Sequence, residues 1–202
     1  PLHITVKGIS DTGDGLEVNG EGWSCNARCV IGADGANSVV RRYCGIPSKK
    51  VAMAAQYEVA LPTDVIDQRV GNWFEVYYVL NFGYGWISPM KEGLKVGVGI
   101  VFENLKKNIM SVLDEFMQHP VVKGKCHGGN IVGKEAHLIP MSGPLDMFAG
   151  NRALLAGDAG GFVYPGTGEG IFYAIKTGRI AAAVLDRAID EEALDAVALN
   201  MR

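Results

Sequence analysis

Two acidic residues in this chain follow short apolar runs and lead into turns rich in glycine. Asp158 follows the apolar run at residues 153–156, and Asp34 follows the one at residues 30–31. Runs this short are typical of buried strands rather than helices. A carboxylate at a strand end can accept hydrogen bonds from a sugar hydroxyl, and the free N–H groups of a following helix attract an anion. Both strand–helix junctions are therefore candidate ligand sites.

The longer junction covers residues 151–185. A second glycine loop occupies residues 165–170, and from Ile171 the apolar residues recur at steps of three and four, which predicts a helix. The predicted apolar face comprises Ile171, Ala174, Ile175, Gly178, Ala181, Ala182 and Leu185. Its small residues favour close packing on a sheet. For any single glycine an ordinary turn explains the residue, whereas the whole ordered string favours a ligand site.

This string resembles the third flavin-binding motif of the FAD-dependent oxidoreductases that include aromatic hydroxylases and geranylgeranyl reductases. In that family the Asp of a GDA segment binds the ribitol or pyrophosphate region of FAD. The following P-x-x-G-E-G loop and helix start lie against the isoalloxazine ring. The resemblance implies cofactor contacts at Gly157, Asp158, Ala159, Pro165, Gly166, Thr167, Gly168, Glu169 and Gly170.

The shorter junction, residues 30–42, resembles the DG motif of the same family, whose Asp and Gly lie near the FAD pyrophosphate. The resemblance implies cofactor contacts at Asp34, Gly35 and Arg41, with Arg42 as a less certain neighbour. Ser38 is predicted to cap a helix over residues 39–44. Taken alone, the segment would be an ordinary strand–helix junction with a turn Asp.

A third stretch, YGWISP, places Tyr84 and Trp86 on one face of a predicted strand. Gly97 and Gly99 on the next strand would leave room opposite them for a ligand or a second backbone. Alternatively, the aromatic pair packs into the sheet and the glycines ease its twist. The stretch resembles the substrate-site signature of geranylgeranyl reductases, Y-x-W-x-F-P-K followed by G-x-G. That resemblance implies substrate contacts at Tyr84, Trp86, Pro89, Gly97 and Gly99.

The chain departs from this signature at Ser88, which replaces Phe, and at Met90, which replaces Lys. These departures leave the exact substrate open, because a smaller residue at position 88 could widen or re-route an isoprenoid tunnel.

Composition places the 202-residue chain among globular proteins, with 48% hydrophobic and 20% charged residues. A net charge of −3 and a pI near 5.8 give no electrostatic reason to expect a nucleic-acid partner. The four cysteines form no CxxC pair, and we interpret them as reduced, as in a cytoplasmic protein. The four histidines lack metal-ligand spacing with cysteines or acids, so no metal site is predicted.

The pattern of elements predicts an α/β fold with α+β character. Strands are expected at 3–6, 16–18, 23–25, 27–31, 51–60, 72–78, 84–89, 94–101, 136–141 and 153–156. Helices are expected at 39–44, at 105–119 with Pro120 as its end, from 171 to 185, and over 186–202. We interpret residues 1–45 with 141–202 as an incomplete FAD-binding, Rossmann-like domain. Residues 46–140 are expected to form an inserted antiparallel sheet with a helix that binds the substrate.

The first glycine motif of the family, GxGxxG after an N-terminal strand, is not found in this sequence. We therefore interpret the chain as the second part of a longer enzyme. It is expected to bind FAD weakly or not at all without the remainder, and to be inactive as an isolated fragment.

The implied activity is the reduction of isolated C=C bonds in geranylgeranyl chains of a lipid or pigment, by hydride from reduced FAD. The helix start at 168–171 would stabilise the negative charge of the reduced ring. Electrons would come from NADPH or a ferredoxin-like carrier. A lipid-linked substrate implies peripheral membrane contact by a cytoplasmic protein. No catalytic side chain is evident, and Tyr84 is a candidate proton donor only by its place in the motif.

Two other functions stay open. YGWISP also resembles, faintly, the W-x-W-x-I-P signature of flavin-dependent halogenases, so a halogenase or a hydroxylating monooxygenase is one alternative. A non-catalytic binding module that keeps the flavoprotein fold is the other, although such a module would not need the complete GDA and GEG segments.

Overall fold

The computed structural model describes residues 4–80 and 83–195. It divides into two compact units, Pro1–Lys50 with Ile139–Arg202 and Val51–Leu138. The unit boundaries thus fall at 50/51 and 138/139, where the sequence had suggested 45/46 and 140/141.

The first unit opens with an antiparallel meander of three strands, β1 (Val6–Asp11), β2 (Leu16–Gly20) and β3 (Trp23–Ala27). The turn between β1 and β2 is an Asx turn in which the N–H of Gly13 donates to Asp11 Oδ1 at 2.7 Å. Two predictions were wrong here. The first strand begins at Val6 rather than covering residues 4–5, and residue 3 lies outside the described part. The meander also ends at Ala27 instead of continuing to residue 31.

The chain leaves the meander because the next strand, β4 (Val30–Gly32), joins a second sheet. That sheet also contains β10 (Ala149–Gly150) and β11 (Ala153–Leu155) in the order β10–β11–β4, with β11 and β4 parallel. The helices α1 (Val39–Tyr43) and α5 (Ile171–Asp190) complete the unit. The predicted strand–loop–helix order of residues 151–185 is confirmed.

The two faces of this sheet form two small cores. One core comprises Val40, Ile46, Leu145, Ala153, Leu155 and Ala159. The other comprises Ala149, Leu154, Ala181, Leu185, Ala188 and Leu194. Only part of the predicted apolar face of α5 is therefore packed, since Ala174, Ile175 and Ala182 are exposed.

The helix predicted over 186–202 is confirmed only for residues 186–190, which form the end of α5, and is wrong for residues 191–195. Helix α5 runs without interruption to Asp190, and the chain then turns through Glu192, which has φ 53°. This turn lets Leu194 pack into the core, where its carbonyl accepts from the N–H of Arg152 at 2.8 Å. Residues 196–202 lie outside the described part.

The second unit is built on a five-stranded sheet in the order β6–β7–β8–β5–β9. The strands are β5 (Val51–Ala60), β6 (Glu75–Leu80), β7 (Gly83–Met90), β8 (Gly93–Val101) and β9 (Asn130–Pro140). The pairs β6–β7, β7–β8 and β8–β5 are antiparallel, and β7 and β8 form the predicted hairpin. The observed β6 starts later, and β9 earlier, than the sequence suggested.

Three helices, α2 (Thr63–Arg69), α3 (Ile109–Met117) and α4 (Pro120–Lys125), accompany this sheet. Helix α2 was not predicted. The helix predicted over 105–119 is shorter, because the side chain of Asn108 caps it by accepting from the N–H of Met110 at 2.9 Å. Pro120 opens α4 at its first turn, where a missing N–H costs nothing. The core of the unit includes Tyr57, Val59, Ile87, Leu94, Val96, Val98, Leu113 and Phe116.

Candidate functional site

The two acidic turns lie at the same edge of the parallel pair β4–β11. Gly32 is opposite Leu155 in the register, and the N–H of Ala156 donates to the Gly32 carbonyl at 2.9 Å. Asp34 follows β4 and Asp158 follows β11, each within a few residues of the strand end. Open α/β sheets bind ligands at the carboxyl ends of their strands. The structure therefore brings the two predicted acidic positions to one such edge.

Asp34 is hydrogen-bonded within its own loop. Its Oδ1 accepts from the hydroxyl of Ser38 at 2.5 Å, and its Oδ2 accepts from the N–H groups of Val39 at 2.6 Å and Val40 at 3.3 Å. The Ser38 hydroxyl oxygen in turn accepts from the N–H of Arg41 at 2.9 Å, as a helix N-cap does. Asp34 thus fixes the start of α1.

Arg41 and Arg42 also hold this loop. Arg41 is only 7% exposed, and its guanidinium donates to the Ala36 carbonyl at 3.2 Å. Burial lowers the pKa of Arg41, with the neighbouring Arg42 acting in the same direction and Asp34 opposing it. The exposed Arg42 donates to the Asn37 carbonyl at 2.6 Å. Gly35 has φ 77°, a conformation that the turn requires and that side chains disfavour.

The GDA turn is clamped by helix α5. Gly157 has φ 57°, and its N–H donates to Thr177 Oγ1 at 2.9 Å. A Cβ at Gly157 would lie 3.2 Å from the Cβ of Ala174, so the turn and the helix are in close contact. Thr177 was missed from the sequence, where a Thr inside a helix gives no signal of a tertiary hydrogen bond. Its hydroxyl also donates to the Tyr173 carbonyl at 2.7 Å.

Asp158 differs from Asp34 in having no such partners. Its side chain is partly buried, and no donor to its carboxylate is found among residues 4–80 and 83–195. A Cβ at Gly170 would lie 3.4 Å from Asp158 Oδ1, so the carboxylate lies beside the first turn of α5. Burial raises the pKa of Asp158. A desolvated carboxylate without a donor is an acceptor that a ligand hydroxyl could satisfy.

The glycine loop before α5 is a compact turn. The N–H of Tyr164 donates to the Glu169 carbonyl, and the N–H of Gly168 donates to the Tyr164 carbonyl, both at 2.8 Å. Gly168 has φ 73° at this turn. Pro165, Gly166 and Thr167 are exposed on it.

The start of α5 is only partly capped. Glu169 Oε1 accepts from the N–H of Phe172 at 2.9 Å, and Gly170 offers no side-chain cap. Within the described part of the chain, the N–H groups of Ile171 and Tyr173 have no acceptor. Two open amides beside the Asp158 carboxylate make this the place in the first unit that best fits a ligand with both hydroxyl and acceptor groups.

The side chain of Ala159 lies in the core of the first unit. It is 1% exposed and packs in the core with Val40 and Leu155. Its small side chain therefore serves packing of the turn, whereas Asp158 next to it faces the helix start.

The predicted substrate residues all lie in the second unit. Trp86 is opposite Gly97 in the register, Tyr84 is opposite Gly99, and Pro89 lies near the end of the same strand. A Cβ at Gly97 would lie 2.1 Å from Trp86 Cζ2, and one at Gly99 would lie 3.6 Å from Cζ3. The expected free space opposite these glycines is therefore wrong at Gly97, because the indole ring of Trp86 fills it.

Tyr84 packs against this indole, with ring centroids 5.8 Å apart at an interplanar angle of 56°. Burial raises the pKa of Tyr84, and the nearby phenol of Tyr78 adds to the effect. The Tyr84 hydroxyl is therefore protonated at neutral pH.

Two further properties concern the described residues only. None of their helices is both long enough and apolar enough to cross a membrane. Their His, Cys, Asp and Glu side chains form no cluster of three or more that could hold a metal ion.

Comparison with known sequences finds relatives among the geranylgeranyl reductases, although no family model matches the chain. The chain is 32% identical over 197 residues to digeranylgeranylglycerophospholipid reductase of Methanococcus vannielii, covering 93% of this chain and 49% of that protein. It is 33% identical over 165 residues to the chloroplastic geranylgeranyl diphosphate reductase of Arabidopsis thaliana, covering 77% of this chain and 33% of that protein. The chain thus spans about half the length, or less, of these relatives.

Solved structures share the fold. A geranylgeranyl bacteriochlorophyll reductase-like protein from Thermoplasma acidophilum matches with a TM-score of 0.79 and 22% identity, over 97% of this chain and 51% of that one. The halogenase PltM, solved as a point mutant in complex with FAD, matches with a TM-score of 0.73 and 13% identity, over 98% of this chain and 45% of that one. At these identities the likeness establishes the mixed α/β fold alone, and that prediction is confirmed. The sequence matches confirm the resemblance predicted from the motifs: the chain is a homologue of part of the geranylgeranyl reductase family.

Proposed function

We propose that the chain forms part of an FAD-dependent oxidoreductase that reduces C=C bonds in the geranylgeranyl chains of a lipid or pigment. The names of its relatives support this proposal. The single structural observation that carries it is the Asp158 carboxylate, partly buried and without a donor, next to the open N–H groups of α5.

The residues at this edge fit the flavin that the family implies. The Asp158 carboxylate would accept a hydrogen bond from a hydroxyl of the ribityl chain, and the N–H groups of Ile171 and Tyr173 would donate to polar ring atoms. When bound, FAD supplies the hydride. The chain's own contribution is to orient the ring and to stabilise negative charge on it through the helix start.

Asp34, Gly35 and Arg41 have a supporting role in this proposal. Their hydrogen bonds hold the loop after β4 in one shape, so that its exposed backbone can lie near a pyrophosphate. Arg41 is a positioning residue, because its guanidinium donates to the loop and is largely buried.

The second unit would bind the substrate through Tyr84 and Trp86. The Tyr84 phenol, protonated at neutral pH, is the candidate proton donor to the double-bond carbon that does not receive the hydride. NADPH or a ferredoxin-like carrier would supply the electrons. Contact with a membrane surface in the cytoplasm would give access to a lipid-linked substrate.

The proposal is tested by anaerobic turnover of the intact natural protein that contains these residues. It is loaded with FAD, reduced with dithionite and given a geranylgeranyl phospholipid or geranylgeranyl diphosphate. The expected product has gained two hydrogens for each double bond reduced, as read by mass spectrometry. Product that forms only with oxygen would instead identify a monooxygenase or halogenase. An intact protein that purifies colourless and binds no FAD would identify a non-catalytic module.

A further inference from the structure

One face of the sheet in the second unit carries the helices, and the other carries the motif side chains. On the helix side, the ring of Phe116 in α3 lies over Gly85, where a Cβ would be 2.4 Å from its Cζ atom. Because side chains alternate along a strand, Tyr84 and Trp86 point to the opposite face. The three helices described in this unit pack on the Gly85 side, since Ile66, Leu113 and Val122 lie in one core with Ile87 of the same strand.

The motif side chains continue onto the edge strand β6. Val76 is opposite Trp86 in the register, so its side chain shares the face with the indole. Val76 is 41% exposed and Tyr78, two residues further along β6, is 86% exposed. Tyr77, between them, packs on the helix side against Phe116 with ring centroids 5.6 Å apart, so the side chain of Tyr78 points to the opposite face. We call Val76, Tyr78, Tyr84 and Trp86 the aromatic face.

The aromatic face has the character of a binding surface for an uncharged apolar chain. None of its four side chains is charged. On the same side of the sheet, Lys95 pairs with Glu58 at 3.2 Å and Glu135 accepts a hydrogen bond from Gln56 at 2.7 Å, and all four residues lie on strands other than β6 and β7. Large apolar side chains exposed together, as here, mark interaction sites more often than isolated ones do.

The indole of Trp86 forms the base of this binding surface. It lies over the backbone of β8 because Gly97 and Gly99 have no side chains there. Any side chain at position 97 would displace the ring. The glycine pair is therefore needed to seat Trp86, and the ligand surface is the outer side of the ring and its continuation towards β6.

We propose that Val76 and Tyr78 extend the substrate site beyond the motif and determine the length of isoprenoid chain that the protein accepts. This inference rests on the proposed function and on the continuity of the aromatic face from Trp86 to the edge strand. Isoprene units near the reacting bond contact Tyr84 and Trp86, and more distant units contact Val76 and Tyr78. A short chain does not reach β6.

The test compares Val76→Asp with Val132→Asp in the intact, FAD-loaded protein. Both valines are exposed, and they lie on the two edge strands of the same sheet. A Cβ at Gly133 would face Glu58, on the side of the aromatic face. The side chain of the adjacent Val132 therefore points to the other side of the sheet. Values of kcat/KM are measured for geranylgeranyl and geranyl diphosphate. Val76→Asp is expected to lower kcat/KM for the longer substrate about tenfold and to change that for the shorter one less than about twofold. Val132→Asp is expected to change neither, and Tyr78→Ser to act in the same direction as Val76→Asp.

A binding measurement separates this inference from the proposed reaction. Binding of geranylgeraniol to the intact, FAD-loaded protein is measured by isothermal titration calorimetry in wild type, Val76→Asp and Val132→Asp. If no isoprenoid is reduced at all, the proposed function fails, while a binding affinity that Val76→Asp weakens and Val132→Asp does not still supports the aromatic face. Equal chain-length dependence in wild type and Val76→Asp would overturn the inference. So would a loss of binding to phosphatidylglycerol vesicles with unchanged chain-length dependence, since the face would then be a membrane-docking surface.

Discussion

The two acidic turns of the first unit have the same local plan and different chemistry. Each follows a strand of the parallel pair, and each leads to a helix. Asp34 accepts three hydrogen bonds from its own loop, whereas Asp158 accepts none from the described residues and lies partly buried beside α5. A strand–acid–glycine–helix pattern can therefore either complete a loop or leave an acceptor open for a ligand. The hydrogen-bond partners of the Asp side chain distinguish these two cases.

The largest effect on stability is expected at Asp34. Asp34→Ala removes the acceptor of the Val39 N–H and of the Ser38 hydroxyl, and should lower the free energy of unfolding of the first unit by about 2 kcal/mol. Urea denaturation measures this change. The control is Asp146→Ala, whose side chain is 91% exposed and pairs with Lys49, and which should cost less than about 0.5 kcal/mol. Equal losses in the two variants would mean that the Asp34 hydrogen bonds do not support the loop.

A smaller loss is expected where α5 clamps the open turn. Thr177→Val keeps the shape of the side chain but leaves the Gly157 N–H without its acceptor, and should cost about 1 kcal/mol. Thr63→Val is the matched control, because the Thr63 hydroxyl donates to the Lys91 carbonyl at an exposed site. The clamp would be refuted if the two Thr→Val variants had the same urea midpoint.

The smallest effect concerns the pH dependence of stability at Asp158. Burial raises its pKa in the folded chain, so the folded state binds more protons than the unfolded one as the carboxyl ionises. The protonated Asp158 carboxyl contributes its full stabilisation below the pKa of the unfolded chain. This stabilisation is lost as the pH rises through the pKa of the folded chain. The free energy of unfolding of Asp158→Asn should therefore increase relative to that of wild type as the pH is raised from about 4 to about 7. A difference that shrinks over this range would contradict the burial of an unpartnered carboxylate.

The sequence was sufficient for the local parts of this site. The Ser38 cap and the start of α5 at Ile171 are confirmed, because both are encoded within a few residues. The family resemblance was also found in short motifs with fixed spacing, which can be recognised without information on distant contacts.

The non-local parts could not be read from the sequence. The pairing of β4 with β11 joins segments more than a hundred residues apart, and no local signal separates β4 from the preceding meander. The same holds for Thr177 at the GDA turn and for the indole of Trp86 over Gly97, which depends on strand register. Helix α2 was missed because its start at Pro62 lacks a side-chain cap.

The most direct measurement is the affinity of the intact protein for FAD in wild type, Asp158→Ala and Asp146→Ala. Titration followed by quenching of flavin fluorescence should give a dissociation constant about tenfold higher for Asp158→Ala, with Asp146→Ala unchanged. Wild-type affinity in Asp158→Ala, with the fold intact by circular dichroism, would contradict the claim that the open carboxylate beside α5 holds the cofactor.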